Sequence, residues 1–367
     1  MSNLRNIPFT EIVERVQDLS RANTETERRI RGIVNEVYSQ EIPREYDFTW
    51  LKVSTSFLVT ASYNSGVVTV DTQDTVLTFS GCTIATDTTG RKIKFGDNAN
   101  IYDFTYVASN SGTISPPLSG VTNVSNGTYS LFQNKYTLPS DFDRFPVNGG
   151  LLFYQAGQPT PLPELYDDDY YERVNASPST IPEGCRVIGY NTAGDLEVEI
   201  LPPPSSAYIL LAEYFKGLNP MIETTAGTIT TSGGTANITG SSTLFTQAKT
   251  GDYLRVDSLG KDTDSFWYRV TSITNDTTAT ISPVFRADTT CSGASYTICG
   301  APNMPYRLQD AIIYGAIKKT LADAKDPIFL LAHANYAKIL TTNISLDVSR
   351  HAKDDIELIA EDSEYRR

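Results

Sequence analysis

The chain has 367 residues, 40% hydrophobic and 10% aromatic, with a formal net charge of −13 at pH 7. A length of this order exceeds one typical core, so a globular protein of two to four structural units is expected. Residues 134–224 hold 13 Asp and Glu against 5 Lys and Arg, and an acidic surface repels phosphate, which argues against nucleic-acid affinity.

Residues 10–42 carry the spacing of two amphipathic helices. Ile12, Val13, Val16 and Leu19 form one stripe; Ile30, Ile33, Val34 and Val37 form the next, which opens on a Thr24/Glu27 capping box and ends at Pro43. From Trp50 to Phe132 the period drops to two, with Val67, Thr69, Phe79, Ile93, Phe95, Phe104 and Tyr106 between Asn, Gly, Asp and Ser clusters. Residues 134–224 mix acidic loops with strands such as Arg186–Tyr190 and Tyr208–Tyr214, the latter entered through three prolines at 202–204.

Residues 225–300 then repeat the first β segment. Gly66-Val67-Val68-Thr69-Val70, Ser80-Gly81, Tyr106-Val107-Ala108-Ser109, Thr113-Ile114-Ser115-Pro116 and Gly127-Thr128-Tyr129 run in the same order as Gly227-Thr228-Ile229-Thr230, Thr239-Gly240, Tyr268-Arg269-Val270-Thr271-Ser272, Thr280-Ile281-Ser282-Pro283 and Ser295-Tyr296. Helical spacing returns after Pro305, with Leu308, Ala311, Ile312, Gly315, Ala316 and Leu321 on one face, and again after Pro327, with Leu330, Leu331, Ala334, Ile339 and Leu340.

The expected fold class is α+β. A bundle of N- and C-terminal helices (1–50 and 301–367) would form a docking core, since four apolar stripes need covering. Two small β-sandwich or barrel modules (51–133 and 225–300) and a mixed β/loop region (134–224) would be inserted into it.

Little in the chain points to catalysis. It has two histidines, His333 and His351, and lacks the G-x-S-x-G, H-E-x-x-H and P-loop patterns. Cys82, Cys185, Cys291 and Cys299 show no metal-ligand spacing, and no signal peptide or long apolar run is present, so reduced thiols and no membrane partner are expected. Asp167-Asp168-Asp169 tempts as a cation site, but adjacent side chains diverge and no EF-hand glycine or closing glutamate follows. No catalytic, cofactor or metal residue is assigned.

Phe132-Gln133-Asn134-Lys135-Tyr136-Thr137-Leu138-Pro139-Ser140-Asp141-Phe142 resembles the Y-x-L-P-x-D-F signature of the head-to-tail connector (adaptor) proteins of tailed bacteriophages. Asn35 to Trp50-Leu51 looks like that family's helix and following Trp-Leu pair. Gly194-Asp195-Leu196 through Leu201-Pro202 and on to Tyr214 looks like its paired strands, and Pro305-Tyr306-Arg307 to Ala316 is similar to its closing helix. The duplicated β segments depart from the minimal form of the family.

The resemblance implies a structural virion protein of the neck, assembled in the host cytoplasm and lacking enzyme activity. It would form a ring, commonly twelvefold, between the portal protein and a tail or nozzle protein, with double-stranded DNA passing through the lumen unbound. Tyr136, Leu138, Pro139, Asp141, Phe142 and Trp50 are then structural motif residues. Arg350, Lys353, Asp354, Asp355, Glu357, Glu361, Arg366 and Arg367 in the polar segment from Ser345 to Arg367 would dock on the portal, against the alternative of a frayed tail. Two other readings stand beside this one: a receptor-binding or tailspike-like protein that recognises cell-surface glycans through its 21 Tyr and its β modules, and a divalent-ion-dependent scaffold using Asp167 to Asp169.

Overall fold

The computed structural model describes residues 6–21, 27–96, 98, 100–119, 122–146, 150–155, 158–174, 176–257, 266–286, 290–321 and 326–364, with the backbone alone at 154, 155, 158 and 349–364. The chain is mixed α+β and strand-rich, with one sheet curled into a half-barrel. It divides into two compact units, Met1–Leu51 with Gly217–Arg367, and Lys52–Lys216.

The first elements are helices: α1 (Phe9–Ser20), α2 (Glu27–Glu36), a π-helical turn (Val37–Glu41) and α3 (Ile42–Glu45). Pro43 does not end the second helix as predicted. In the π turn the Ile42 N–H reaches back to Val37 O, and Pro43 then occupies the first turn of α3, where a missing N–H costs least. Leu19 also departs from its predicted stripe and is 50% exposed, whereas Phe9, Ile12, Val13 and Val16 are buried. Thr24, half of the expected capping box, lies outside the described residues.

The second unit starts with β1 (Lys52–Val59), β2 (Val67–Val70), β3 (Val76–Ser80), β4 (Lys92–Phe95), β5 (Ile101–Ala108), β6 (Ser111–Ser115), β7 (Val124–Gly127) and β8 (Tyr129–Phe132). It continues through β9 (Lys135–Thr137), β10 (Phe142–Arg144), β11 (Leu151–Gln155), β12 (Gln158–Leu162), α4 (Asp167–Arg173), β13 (Gly184–Tyr190), β14 (Leu196–Leu201) and β15 (Tyr208–Lys216). The chain then returns to the first unit with β16 (Glu223–Thr224), β17 (Thr228–Thr231), β18 (Asn237–Ser241), β19 (Tyr253–Val256), β20 (Tyr268–Asn275), β21 (Thr278–Ser282), β22 (Cys291–Ala294) and β23 (Tyr296–Cys299). Helices α5 (Tyr306–Thr320) and α6 (Pro327–Glu364) close it.

The repeated sequence folds into repeated topology. One sheet runs β7-β2-β3-β6-β5-β4-β8; the other runs β22-β17-β18-β21-β20-β19-β23 and adds β16 at its edge. Matching residues make matching bonds. The Tyr129 hydroxyl donates to Ser65 O at 2.7 Å and the Tyr296 hydroxyl to Ala226 O at 2.6 Å. The Gly90 N–H reaches Phe104 O at 3.0 Å, and the Gly251 N–H reaches Val270 O at 2.8 Å. Gly66 and Gly227 share φ values of +75° and +80°, and a Cβ there would stand 2.4 Å from Ser80 O or 2.3 Å from Ser241 O, so only glycine fits.

Two of the sequence pairings slip against this geometry. Ser80 matches Ser241 rather than Thr239, because Val67 pairs with Ser80 as Thr228 pairs with Ser241. Tyr268 matches Tyr102 rather than Tyr106, since Phe104 faces Ile114 as Val270 faces Ile281. Each module closes over its own apolar core, one built around Phe79, Phe104 and Tyr129, the other around Phe245, Tyr268 and Tyr296.

Within the second unit the remaining strands form two more sheets, β1-β15-β11-β12 with β10 beside β15, and β13-β14-β9. Val59, Leu151, Leu210 and Ala212 from the former share a core with Tyr136, Leu138, Val198 and Ile200 from the latter. Burying one face of each sheet against the other removes both apolar faces from water.

Candidate docking surface

In the first unit, helices from both ends of the chain lie against one another. Gly315 in α5 makes this possible, because a Cβ there would stand 2.8 Å from Val37 Cγ1 and 3.0 Å from Tyr336 Cε2. Leu308, Ala311, Ile312 and Ala316 are buried beside it, as their spacing predicts, while Leu321 falls just past the helix end. Gln309 is fully buried at this seam; its Oε1 accepts the Ile7 N–H at 2.8 Å, and its Nε2 donates to Asn6 Oδ1 at 2.8 Å and to Met304 O at 3.3 Å. A buried amide with donor and acceptor both satisfied fixes the register of the segments it joins.

Ion pairs flank the seam. Lys319 meets Glu36 at 2.7 Å and Glu41 at 2.5 Å. Partial burial works against its charge, but the two carboxylates outweigh that and hold the ammonium above its ordinary pKa. Arg31 is likewise held above its ordinary value: burial opposes the charge, and bonds to Glu223 and Glu27 more than offset it. Glu223 also accepts the Thr10 hydroxyl at 2.6 Å, tying α1 and α2 to the strand β16. Burial raises the Tyr38 hydroxyl, which accepts the Asn303 N–H at 3.0 Å.

α6 leaves this seam as a helix of 38 residues, about 57 Å long at 1.5 Å per residue. Its buried side keeps Leu340 of the predicted stripe but not Leu330, Leu331 or Ala334. Ala332, Tyr336, Leu340 and Asp347 face inward, while Leu330 and Leu331 are 55% and 61% exposed and Ala334 is exposed. The buried Asp347 carboxylate accepts the Thr49 N–H at 3.0 Å and the Thr49 hydroxyl, which anchors α6 to the turn that precedes β1. Around this anchor lies a cleft of about 310 Å³ lined by Phe48, Trp50, Tyr306, Arg307, Leu346 and Asp347. The Trp50 indole N–H is buried there with no hydrogen-bond partner among the described residues.

Arg350, Lys353, Asp354, Asp355, Glu357 and Glu361 lie on the backbone of α6 beyond Asp347, where side chains are outside the described residues; Arg366 and Arg367 are wholly outside them. Across its described part the segment from Ser345 to Glu364 is helical, since it continues the helix anchored at Asp347.

The signature residues fall in the second unit and perform packing work. Tyr136 and Leu138 are buried in the shared core, and the Leu138 N–H bonds Leu196 O at 2.8 Å. The Phe142 N–H closes a turn onto Pro139 O at 2.9 Å, and Asp141 Oδ1 accepts the Tyr214 hydroxyl at 2.8 Å. Burial, then the Asp141 carboxylate, push that hydroxyl up to about 12.

No protein-family model and no curated protein matches the chain. Among the described residues no group of three or more His, Cys, Asp or Glu is placed to hold a metal ion, and no helix is long and apolar enough to cross a membrane. Asp167 to Asp169 form the first turn of α4, where Asp167 pairs with Arg186 at 2.9 Å and Asp169 with Arg173.

A second recess, missed by sequence reading, lies in the other unit. It measures about 480 Å³ and is lined by Lys92, Asn134, Lys135, Tyr170, Arg186 and Glu199, among others. Glu199 is 3% exposed; it accepts Asn134 Nδ2 and the Tyr170 hydroxyl, the latter at 3.0 Å. Burial raises its pKa, and Tyr170 and the nearby cations restrain the rise. Burial and Glu199 push Tyr170 up to about 12, while the Arg186 guanidinium sits 4.4 Å over its ring. Its residues come from six separate elements, so no sequence window contains it.

Proposed function

We propose that this chain is a structural protein of the phage neck, a head-to-tail adaptor that acts through protein interfaces and has no active site. One observation carries the reading: helices from the two ends of the chain close on one seam at Gly315 and Gln309, and a helix of 38 residues leaves that seam from a buried anchor at Asp347. On this reading the terminal helices form the docking bundle, and the two β modules are homologous insertions that face tail components. The C-terminal half of α6, with Arg350, Lys353, Asp354, Asp355, Glu357 and Glu361 along it, docks on the portal. A ring requires head-to-tail contacts between unlike patches of neighbouring copies. An acidic lumen lets DNA slide without adhering.

The test is assembly. The isolated chain is expected to run as a monomer in size-exclusion chromatography with light scattering, and to form a ring when mixed with portal-bearing capsids. Truncation after Ser349, which keeps the Asp347 anchor to Thr49, should abolish capsid attachment while leaving the fold intact. Undiminished attachment of the truncated chain, or a stable trimer in solution, would overturn the reading.

Glycan recognition is the second reading, and the recess at Tyr170, Arg186 and Glu199 favours it. Glycosidic hydrolysis uses two carboxylates, and the described lining of that recess supplies one, Glu199, so it supports binding without cleavage. Binding on a glycan array that Arg186→Ala removes would favour this reading over the adaptor.

A further inference from the structure

We infer that β1 is an open strand-acceptor edge, built to take one extended strand of a partner protein in antiparallel register. The evidence lies in which way the amides of this sheet point. The Glu213 N–H bonds Gly150 O at 2.6 Å, so the odd-numbered residues of β15 turn their amides toward β11. Ser54 is the partner of Glu213, Ser56 of Leu211 and Leu58 of Ile209. In an antiparallel ladder these are non-hydrogen-bonded pairs, so the N–H and C=O groups of Ser54, Ser56 and Leu58 point away from the sheet. Two residues on, at the same parity, the Thr60 N–H does point outward, and there it donates to the Tyr136 hydroxyl at 3.3 Å. That contact closes the edge at one end. Between Lys52 and Leu58 no described residue accepts or donates to these outward groups, and Lys52, Ser54, Ser56 and Leu58 are all exposed.

The far edge of the same sheet is treated differently. β11 turns Gly150 and Leu152 toward β15, so Leu151 and Phe153 bond Leu162 and Thr160 of β12. Pro159 and Pro161 then occupy the outward positions, where neither has an N–H to offer. Prolines at outward positions are a device that blunts an edge against pairing. β1 has no proline, no bulge and an unbroken register over all eight of its pairs with β15. One edge is blocked and the other is left open.

The blocked edge excludes copies chained edge to edge through this sheet. Self-pairing of two β1 strands about their centre sets Lys52 of each against Leu58 of the other, a charge against an apolar side chain. The exposed face beside the edge asks for something else: Leu58 and Ile209, 63% and 62% exposed, form an apolar pair at one end, and Lys52 sits at the other, bonded to Glu213 at 2.8 Å. The occupant that fits is a strand from a different protein, with an apolar residue across from Leu58, an acidic residue across from Lys52, and β-branched residues between. This assignment does not rest on the adaptor reading and holds for any partner that supplies such a strand.

A blocked peptide Ile-Val-Thr-Val-Thr-Val-Glu places its first residue opposite Leu58 and its last opposite Lys52, and serves as the probe with the full-length chain. In the free protein the amides of Ser54, Ser56 and Leu58 should exchange rapidly with deuterium and those of Thr55 and Phe57 slowly. Saturating peptide should slow the first group at least tenfold. N-methylation of the two threonines, whose amides face β1, should abolish binding; N-methylation of the valines, whose amides face away, should not. Ser56→Pro, which removes an outward N–H without breaking a ladder bond, should weaken binding at least tenfold with an unchanged melting temperature. Truncation after Ser349 should leave peptide binding unaltered, which separates this result from portal docking. Slow exchange of Ser54, Ser56 and Leu58 in the free chain, a dimer of the free chain through β1, or equal binding of both N-methylated peptides would overturn the assignment.

Discussion

Two glycines in helices provide a matched test of the seam. Gly32 in α2 has no atom within 4 Å of where its Cβ would stand, whereas the Cβ of Gly315 would lie 2.8 Å from Val37 Cγ1 and 3.0 Å from Tyr336 Cε2. Replacing glycine by alanine in a helix interior is worth about 1 kcal/mol in propensity at either place. Gly32→Ala should therefore stabilise by about that amount. Gly315→Ala gains the same term but forces two side chains apart, and overpacking of this kind costs about 1–3 kcal/mol. Its net effect runs from about zero to a loss of about 2 kcal/mol. The two variants should differ by about 2 kcal/mol, or roughly 4–8 °C at about 2–4 °C per kcal/mol. Differential scanning calorimetry, followed on the transition that carries the helical circular dichroism, reads both signs in one buffer. Adding Val37→Ala should soften the Gly315→Ala penalty, giving a non-additive pair. If Gly315→Ala is as stabilising as Gly32→Ala, the π turn, α5 and α6 do not meet at close range and the shared seam is wrong.

Three further outcomes follow from single contacts. Asp347→Ala removes both acceptors of Thr49 and should cost about 1–3 kcal/mol in urea unfolding, with Asp347→Asn losing less because one oxygen remains. Tyr129→Phe and Tyr296→Phe delete equivalent bonds in the two modules, so each should cost about 1 kcal/mol; a loss confined to one of them would break the equivalence. Burial raises the folded pKa of Glu199, so its contribution to stability is present below the unfolded value of about 4.3 and is lost as pH rises through the folded value. Glu199→Gln should accordingly show a flatter melting temperature than wild type from pH 4 to 7, and parallel profiles would exclude the buried carboxylate as the cause.

What sequence reading recovered and what it missed both have physical reasons. Periodicity located α1, α5 and the strands of both modules, because apolar residues there face their own cores. It placed Leu340 correctly but misplaced the rest of the buried side of α6: Leu330 and Leu331 look like core residues, yet the helix buries Tyr336 against α5 and Asp347 against Thr49, nearly 300 positions away. It ended the second helix at Pro43 because a π turn, which admits a proline one residue later, has no spacing of its own. The module pairings slipped at Ser80 and Tyr106 because Ser, Thr and Tyr recur so often in these strands that several registers look alike. Neither the recess at Glu199 nor the outward amides of β1 could be read in advance, since both arise from strand pairing between distant segments.

The second unit is entered at Lys52 and left at Lys216, and Lys52 stands opposite Phe215 as its antiparallel neighbour. Both ends of a segment of 165 residues therefore emerge about one strand spacing apart, roughly 5 Å. Such a cassette asks almost nothing of its host chain: a cut between Leu51 and Gly217, bridged by a few flexible residues, closes a short gap at little entropic cost. The first unit could thus have acquired this segment, or could shed it, in one genetic exchange at a single point of its chain.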